Sequence, residues 1–129
     1  MPQEENIEIV RRAYGSLARR DWDGLWADAH PDFELHTQLQ GSYRGRDEAQ
    51  RFVEDRIAAF ESWIAEPEEF FESDDQVVVF VTQRAQPKGT RAVIEIKVGD
   101  VWTLRDGKVS TLETFPQREK ALEAAGLRE

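Results

Sequence analysis

Asp100, Glu113 and His36 are the side chains in this sequence whose types and spacing could do proton chemistry. Asp100 is the one charged position in the alternating set Ala92, Ile94, Ile96, Val98, Asp100, Trp102 and Leu104. Strand side chains alternate faces, so this set points together toward whatever a sheet buries, and the carboxylate interrupts an apolar stripe. Asp106-Gly107 follows at once and signals a two-residue type I′ hairpin that pairs Arg105 with Lys108. Counting back from that turn sets Leu104 opposite Val109, Trp102 opposite Thr111 and Asp100 opposite Glu113. Opposed Cβ atoms lie about 4.5–5.5 Å apart, and like charges placed so repel. On a dry face, desolvation and repulsion would hold one proton on the pair, leaving one acid and one base. A solvated pair neutralised by Arg or Lys is the other reading. The apolar neighbours of Asp100, with Phe115 continuing the Glu113 face, favour a pocket.

His36 supplies the other base, since an unperturbed imidazole titrates near pH 6.5. It shares a strand face with Glu34, so a surface histidine on an edge strand explains it equally well. His36 and His30 lack ligand spacing and no phosphate loop is present, so neither a metal nor another cofactor is expected. Tyr14, Trp26, Phe52, Phe60, Trp102 and Phe115 are the aromatic residues placed to wall a ligand cavity. Tyr14 sits on a buried helix stripe and reads as core before catalyst, Trp26 suits core packing or a dimer contact as well, and Phe52 and Phe60 are spaced as core residues.

The elements that must position these groups follow from periodicity. Ile7, Val10, Tyr14 and Leu17 recur at helical spacing from about residue 4 to 20. Asp21 reads as the N-cap of a shorter helix ended by Pro31. Phe33 to Thr37 reads as a strand, 40–45 as a glycine-containing loop, and Ala49, Phe52, Val53, Ile57 and Phe60 as the buried face of a third helix. Strands are expected over 63–73, 76–86, 91–105 and 108–115, then a short helix from about Gln117 with Gly126 as its C-cap and Leu127 folding back. Helices first and a mostly antiparallel sheet afterwards define one α+β domain over 1–129, with the helices on one face of a curved sheet. Both faces of 76–86 are apolar at the centre. With Val93, Val101 and Leu112, its outer face suggests a homodimer through the convex side of the sheet.

The 129 residues hold no cysteine, which excludes disulfides and thiolate metal sites. Met1 to Glu8 is acidic and polar, unlike a signal peptide, and no apolar run approaches a membrane span, so a cytoplasmic protein without membrane partner is expected. A net charge of −9, from 26 acidic and 17 basic residues, disfavours a phosphate backbone or anionic bilayer as partner, and no nucleic acid is expected. Four Trp, two Tyr and seven Phe suit a small apolar ligand better.

The order of these elements resembles the nuclear transport factor 2-like superfamily, and within it the SnoaL-like polyketide cyclase and ketosteroid isomerase branches. The likeness is carried by Ile9 to Tyr14, Asp21 to Trp26, His30 to His36, Gly41 to Phe52, Val101 to Val109 and Phe115 to Gly126. It implies a cone-shaped sheet with three N-terminal helices packed on the concave face and a short C-terminal helix, enclosing a deep apolar cavity that Asp100 faces. The resemblance also places Asp100 where ketosteroid isomerases carry a protonated aspartic acid that donates to an oxyanion. Glu113 matches a catalytic aspartate of limonene-epoxide hydrolases, given one residue of difference in the turn, and Arg84 is the nominee for their arginine. His36 falls at or beside the isomerase's base, and Tyr14 within one residue of its oxyanion tyrosine. A histidine in place of a carboxylate base argues against steroid isomerisation in the strict sense. The function implied is cofactor-free acid–base chemistry, as an isomerase, cyclase or hydrolase, on an apolar carbonyl or epoxide ligand. A non-catalytic ligand carrier or dimerisation module is the alternative that the same fold supports.

Overall fold

The computed structural model describes residues 3–127. In chain order the elements are α1 (Gln3–Ala18), α2 (Trp22–Ala27), β1 (Ala29–Thr37), β2 (Gly41–Arg44), α3 (Gly45–Ala58), β3 (Phe60–Ser73), β4 (Gln76–Pro87), β5 (Ile94–Arg105), β6 (Lys108–Phe115) and α4 (Arg118–Ala124). The six strands form one sheet in the order β2-β1-β6-β5-β4-β3. Every neighbouring pair is antiparallel except β1 with β6. The loop expected at 40–45 is instead the edge strand β2, whose Tyr43 pairs with Leu35. No described helix is long and apolar enough to cross a membrane.

Local chemistry sets several of these boundaries. Asp21 caps α2, its carboxylate accepting the Gly24 N–H at 3.0 Å. Asp106 and Gly107 both have positive φ, as a type I′ turn requires, and Arg105 pairs with Lys108. After α4, Gly126 adopts φ +76° and the Leu127 N–H returns to the Leu122 carbonyl at 2.8 Å, closing the helix.

Two apolar layers lie on opposite faces of the sheet. On the inner face, Ile9, Val10, Ala13 and Tyr14 of α1 and Trp26 of α2 pack against Val77, Val79, Val81, Val98 and Trp102. On the outer face, Ala121, Leu122 and Ala125 cover Val78, Phe80 and Val101, with Phe71 and Phe115 alongside. The chain's own C-terminal helix therefore covers much of the outer apolar stripe from which pairing of two copies was expected. Leu112, assigned to that outer stripe from sequence, belongs to the inner layer.

The reason is one irregularity in the β5–β6 hairpin. Leu104 pairs with Val109, but Thr103 pairs with Thr111, leaving Ser110 as an extra residue in β6 whose hydroxyl donates to the Thr103 carbonyl at 3.0 Å. A bulge of one residue exchanges the two faces for everything beyond it. Trp102 therefore lies opposite Leu112, and Asp100 opposite Thr114. The expected meeting of Asp100 with Glu113 does not occur: Glu113 is paired with Val101 and turned to the outer face. The bulge separates two like charges that a regular hairpin would have opposed inside an apolar layer.

Candidate active site

Between the inner face and the three N-terminal helices lies a cavity of about 370 Å³. Pockets of roughly 300–1,000 Å³ take small organic molecules. Its walls are mostly apolar, with Phe33, Leu35, Val81, Ile96 and Val98 from the strands and Leu17, Leu25 and Ala49 from the helices. Polar groups are few and grouped.

The first group is at the buried end. Asp100 is 7% exposed and lines the cavity. The Tyr14 hydroxyl donates to its Oδ2 at 2.6 Å, and the Thr114 hydroxyl donates to its Oδ1 at 2.9 Å. The Trp102 indole N–H donates to Tyr14 Oη at 2.9 Å, and the two rings meet edge to face at 5.4 Å. Each position follows from the fold. Asp100 and Trp102 are two apart on β5, Thr114 is the cross-strand partner of Asp100, and Tyr14 follows Val10 by one turn on the buried stripe of α1.

Burial pushes the Asp100 carboxyl up to about 6, with the hydrogen bonds from Tyr14 and Thr114 opposing the rise. Burial likewise holds the Tyr14 hydroxyl well above its ordinary value, reinforced by the Asp100 charge and by the bond Tyr14 donates to it. No cation contributes to the Asp100 shift. At neutral pH the site is thus an ionised carboxylate in an apolar pocket, held by two neutral donors and close to taking up a proton.

A second polar pair stands on the wall. Trp63 and Gln83 line the cavity, and the Trp63 indole N–H donates to Gln83 Oε1 at 3.3 Å. An indole N–H can only donate, which fixes the carboxamide orientation and leaves its NH₂ as a donor. At the exposed end the lining includes Gln38, Leu39, Gln40 and Arg56.

Of the residues singled out from sequence, Asp100, Tyr14, Trp26, Phe52 and Trp102 line this cavity, and five do not. Glu113 lies beyond the bulge and accepts a hydrogen bond from Gln38 Nε2 at 3.0 Å on the outer side. Phe115, beyond the same bulge, packs in the α4 layer. His36 alternates with the inward Leu35 and so faces out. There its Nδ1 is 2.8 Å from Ser42 Oγ and its Nε2 is 3.0 Å from Glu34 Oε1. Arg84 alternates with the inward Gln83 and pairs with Glu66 and Glu95 on the outer face. Phe60 opens β3 instead of ending the buried face of α3 and is absent from the lining.

Sequence reasoning missed Thr114, Trp63, Gln83 and Arg56 as lining residues. Gln83 was accessible from its alternation with Val79 and Val81. Arg56 follows Phe52 by four residues, one turn along the same helix face. Thr114 was hidden by the bulge.

Comparison with known proteins agrees with this architecture. The model of the SnoaL-like domain family matches residues 10–112. No curated protein matches by sequence. Among solved structures, TerC co-crystallised with polyporic acid superposes with a TM-score of 0.79 at 26% identity, covering 95% of this chain and 98% of TerC. An NTF2-like protein of unknown function from Burkholderia pseudomallei K96243 gives 0.79 at 26% identity, covering 92% and 95%. A protein from Jannaschia sp. CCS1, described as SnoaL-like polyketide cyclase, gives 0.76 at 21% identity, covering 88% and 85%, a likeness of fold. With the family model matching residues 10–112 and the fold shared with an NTF2-like protein at 26% identity, the chain belongs to the SnoaL-like domain family.

Proposed function

We infer that the protein is a cofactor-free enzyme in which Asp100 moves a proton on an apolar, carbonyl-bearing small molecule held in the inner cavity. One observation carries this reading: a carboxylate with no cationic partner, 7% exposed, held by two hydroxyl donors in the wall of an apolar pocket. General-base catalysis is most effective when the base titrates near the working pH, because it is then ionised yet still basic. A buried carboxylate kept only for stability would gain from a cationic partner, and Asp100 has only the two neutral hydroxyl donors.

In this reading ionised Asp100 takes a proton from the carbon beside the ligand's carbonyl. Tyr14 and Thr114 orient the carboxylate, and Trp102 fixes the Tyr14 hydroxyl through the bond it donates. As the carboxyl becomes neutral, negative charge passes to the ligand oxygen, where the free NH₂ of Gln83 is a neutral donor suited to meet it. Return of the proton from Asp100 to another carbon completes an isomerisation, or follows ring closure. The apolar walls exclude water, which strengthens each of these interactions. The reading departs from the sequence expectation in one respect: a lone carboxylate with hydroxyl donors replaces an acid–base carboxylate pair.

Deuterium incorporation tests it. Cyclic ketones incubated with the protein in D₂O should exchange their α-protons faster than in buffer, with the excess lost in Asp100→Asn. Binding of the ketones without any excess exchange would leave a ligand carrier and exclude the enzyme. Pairing of two copies through the outer sheet face is restricted to what α4 leaves open, such as Ile64 at 41% exposure. A monomeric mass by light scattering at micromolar concentration contradicts such pairing.

A further inference from the structure

We propose that Arg56 makes the open end of the cavity a receptor for an acidic group, so that the ligand is an amphiphilic acid bound with its anion outward. The proposal rests on the reading that the cavity takes a small apolar ligand, and it adds the ligand's chemical class and orientation.

Ala49, Phe52, Val53 and Arg56 of α3 recur at i, i+3, i+4 and i+7 and all line the cavity. The last position of this apolar row is a cation. Its guanidinium stands 5.8 Å from the centre of the Phe52 ring, and Nη2 donates to Gln40 Oε1 in the turn between β1 and β2. Arg11, Arg12, Arg84 and Arg118 each have a carboxylate within 4.0 Å. Arg56 has none among the described residues, and neither have Arg20, Arg46, Arg51, Arg91 and Arg105, but of these six Arg56 alone lines the cavity. A guanidinium has five N–H donors, and the Gln40 amide uses one. A position in the last turn of α3 offsets the helix dipole, which accounts for a basic residue there. It does not account for that residue lining a cavity.

The charged lining residues are Asp28, Arg56 and Asp100, and Arg12 neutralises Asp28 at 2.9 Å. Ionised Asp100 at the buried end repels a second carboxylate, and Arg56 at the open end attracts one. Leu39, 84% exposed beside Gln40, extends the apolar lining at this mouth. A ligand with an apolar ring body and an acidic substituent therefore enters with the acid last, directing its uncharged end toward Asp100. The acidic substituent is a carboxylate, a sulfonate or an ionised enol, which share anionic oxygen acceptors for a cationic N–H donor.

Two dyes with one skeleton separate charge recognition from cavity binding. 1-Anilinonaphthalene-8-sulfonate carries the anion, and N-phenyl-1-naphthylamine lacks it. Fluorescence titrations would compare wild type with Arg56→Met, which keeps an aliphatic stem beside Phe52, and with Arg56→Lys, which keeps the charge. Arg56→Met should weaken the sulfonate dye about tenfold while the neutral dye stays within about twofold. Arg56→Lys should keep the sulfonate affinity within about threefold of wild type. An equal effect of Arg56→Met on both dyes, or no effect on either, overturns the proposal, as does equal loss of the sulfonate dye in the Lys and Met variants. Failure of wild type to bind either dye overturns the cavity reading itself, and the Arg56 proposal with it.

Discussion

The Tyr14 hydroxyl donates to Asp100 Oδ2 at 2.6 Å across 86 residues of sequence, tying α1 to β5 at the buried end of the cavity. Because Trp102 donates to the same hydroxyl, Tyr14 cannot turn its proton elsewhere without leaving Asp100 less well held. In Tyr14→Phe the carboxylate loses a donor that lowers its pKa, so the Asp100 midpoint should move further upward. The Trp102 N–H loses its acceptor at the same time, which should destabilise the fold by about 1–3 kcal/mol. Urea denaturation, combined with a carboxyl titration of the variant, measures both effects.

Asp100→Asn should stabilise the protein at pH 8 by about 1–3 kcal/mol. A carboxyl at about 6 in the folded chain and near its ordinary 3.8 in the unfolded chain binds protons more tightly when folded. Between these values folding retains the proton and unfolding releases it, so wild-type stability falls as pH rises from about 4 to 6. The advantage of the Asp100→Asn variant should therefore vanish near pH 4 and reach its full size above pH 7. Urea midpoints of both proteins across this range give the test, and a pH-independent difference would contradict it.

The rate of α-proton exchange should depend on pH with the opposite sense. Asp100 acts as a base only when ionised, so the wild-type rate should climb through pH 6 and level off above pH 7. Rate measurements by proton NMR in buffered D₂O follow the profile directly. A rate that is flat across pH 5–7 would exclude Asp100 as the base.

Glu113→Gln and His36→Ala should leave α-proton exchange and neutral-dye affinity within about twofold of wild type. Both side chains are turned to the outer face and neither lines the cavity, and small changes away from a site seldom propagate. A loss comparable to that of Asp100→Asn would restore the regular hairpin register in the case of Glu113→Gln, and would turn the imidazole to the inner face of β1 in the case of His36→Ala.

Gly99→Ala should cost about 1–3 kcal/mol through overpacking. An added Cβ would sit 2.6 Å from Ala121 Cβ and 3.3 Å from Arg118 Cα, where α4 crosses β5. Ala121→Gly in the same chain should recover part of the loss, and a double-mutant cycle by urea denaturation measures the coupling.

The sequence made the architecture legible where local chemistry is strong. Asp21 as a cap, Asp106-Gly107 as a type I′ turn and Gly126 as a helix stop all have short-range causes, and each does in the fold what its chemistry requires. The alternation of β5 likewise identified Asp100 as a carboxylate in an apolar stripe. What was not legible depended on long-range compensation. Nothing near Ser110 marks it as a bulged residue, yet that one position turned Glu113 and Phe115 outward and brought Leu112 and Thr114 in. His36 and Arg84 were misplaced for a simpler reason, since each has an alternating neighbour, Leu35 or Gln83, that lines the cavity in its stead.

A carboxyl-carbon NMR titration of the wild-type protein, with Asp100→Asn to assign the resonance, tests the central claim most directly. Asp100 should titrate with a midpoint of about 6. A midpoint near 4, the value of a solvated aspartate, would mean that burial does not outweigh the hydroxyl donors and that the cavity does not hold a base tuned for proton transfer.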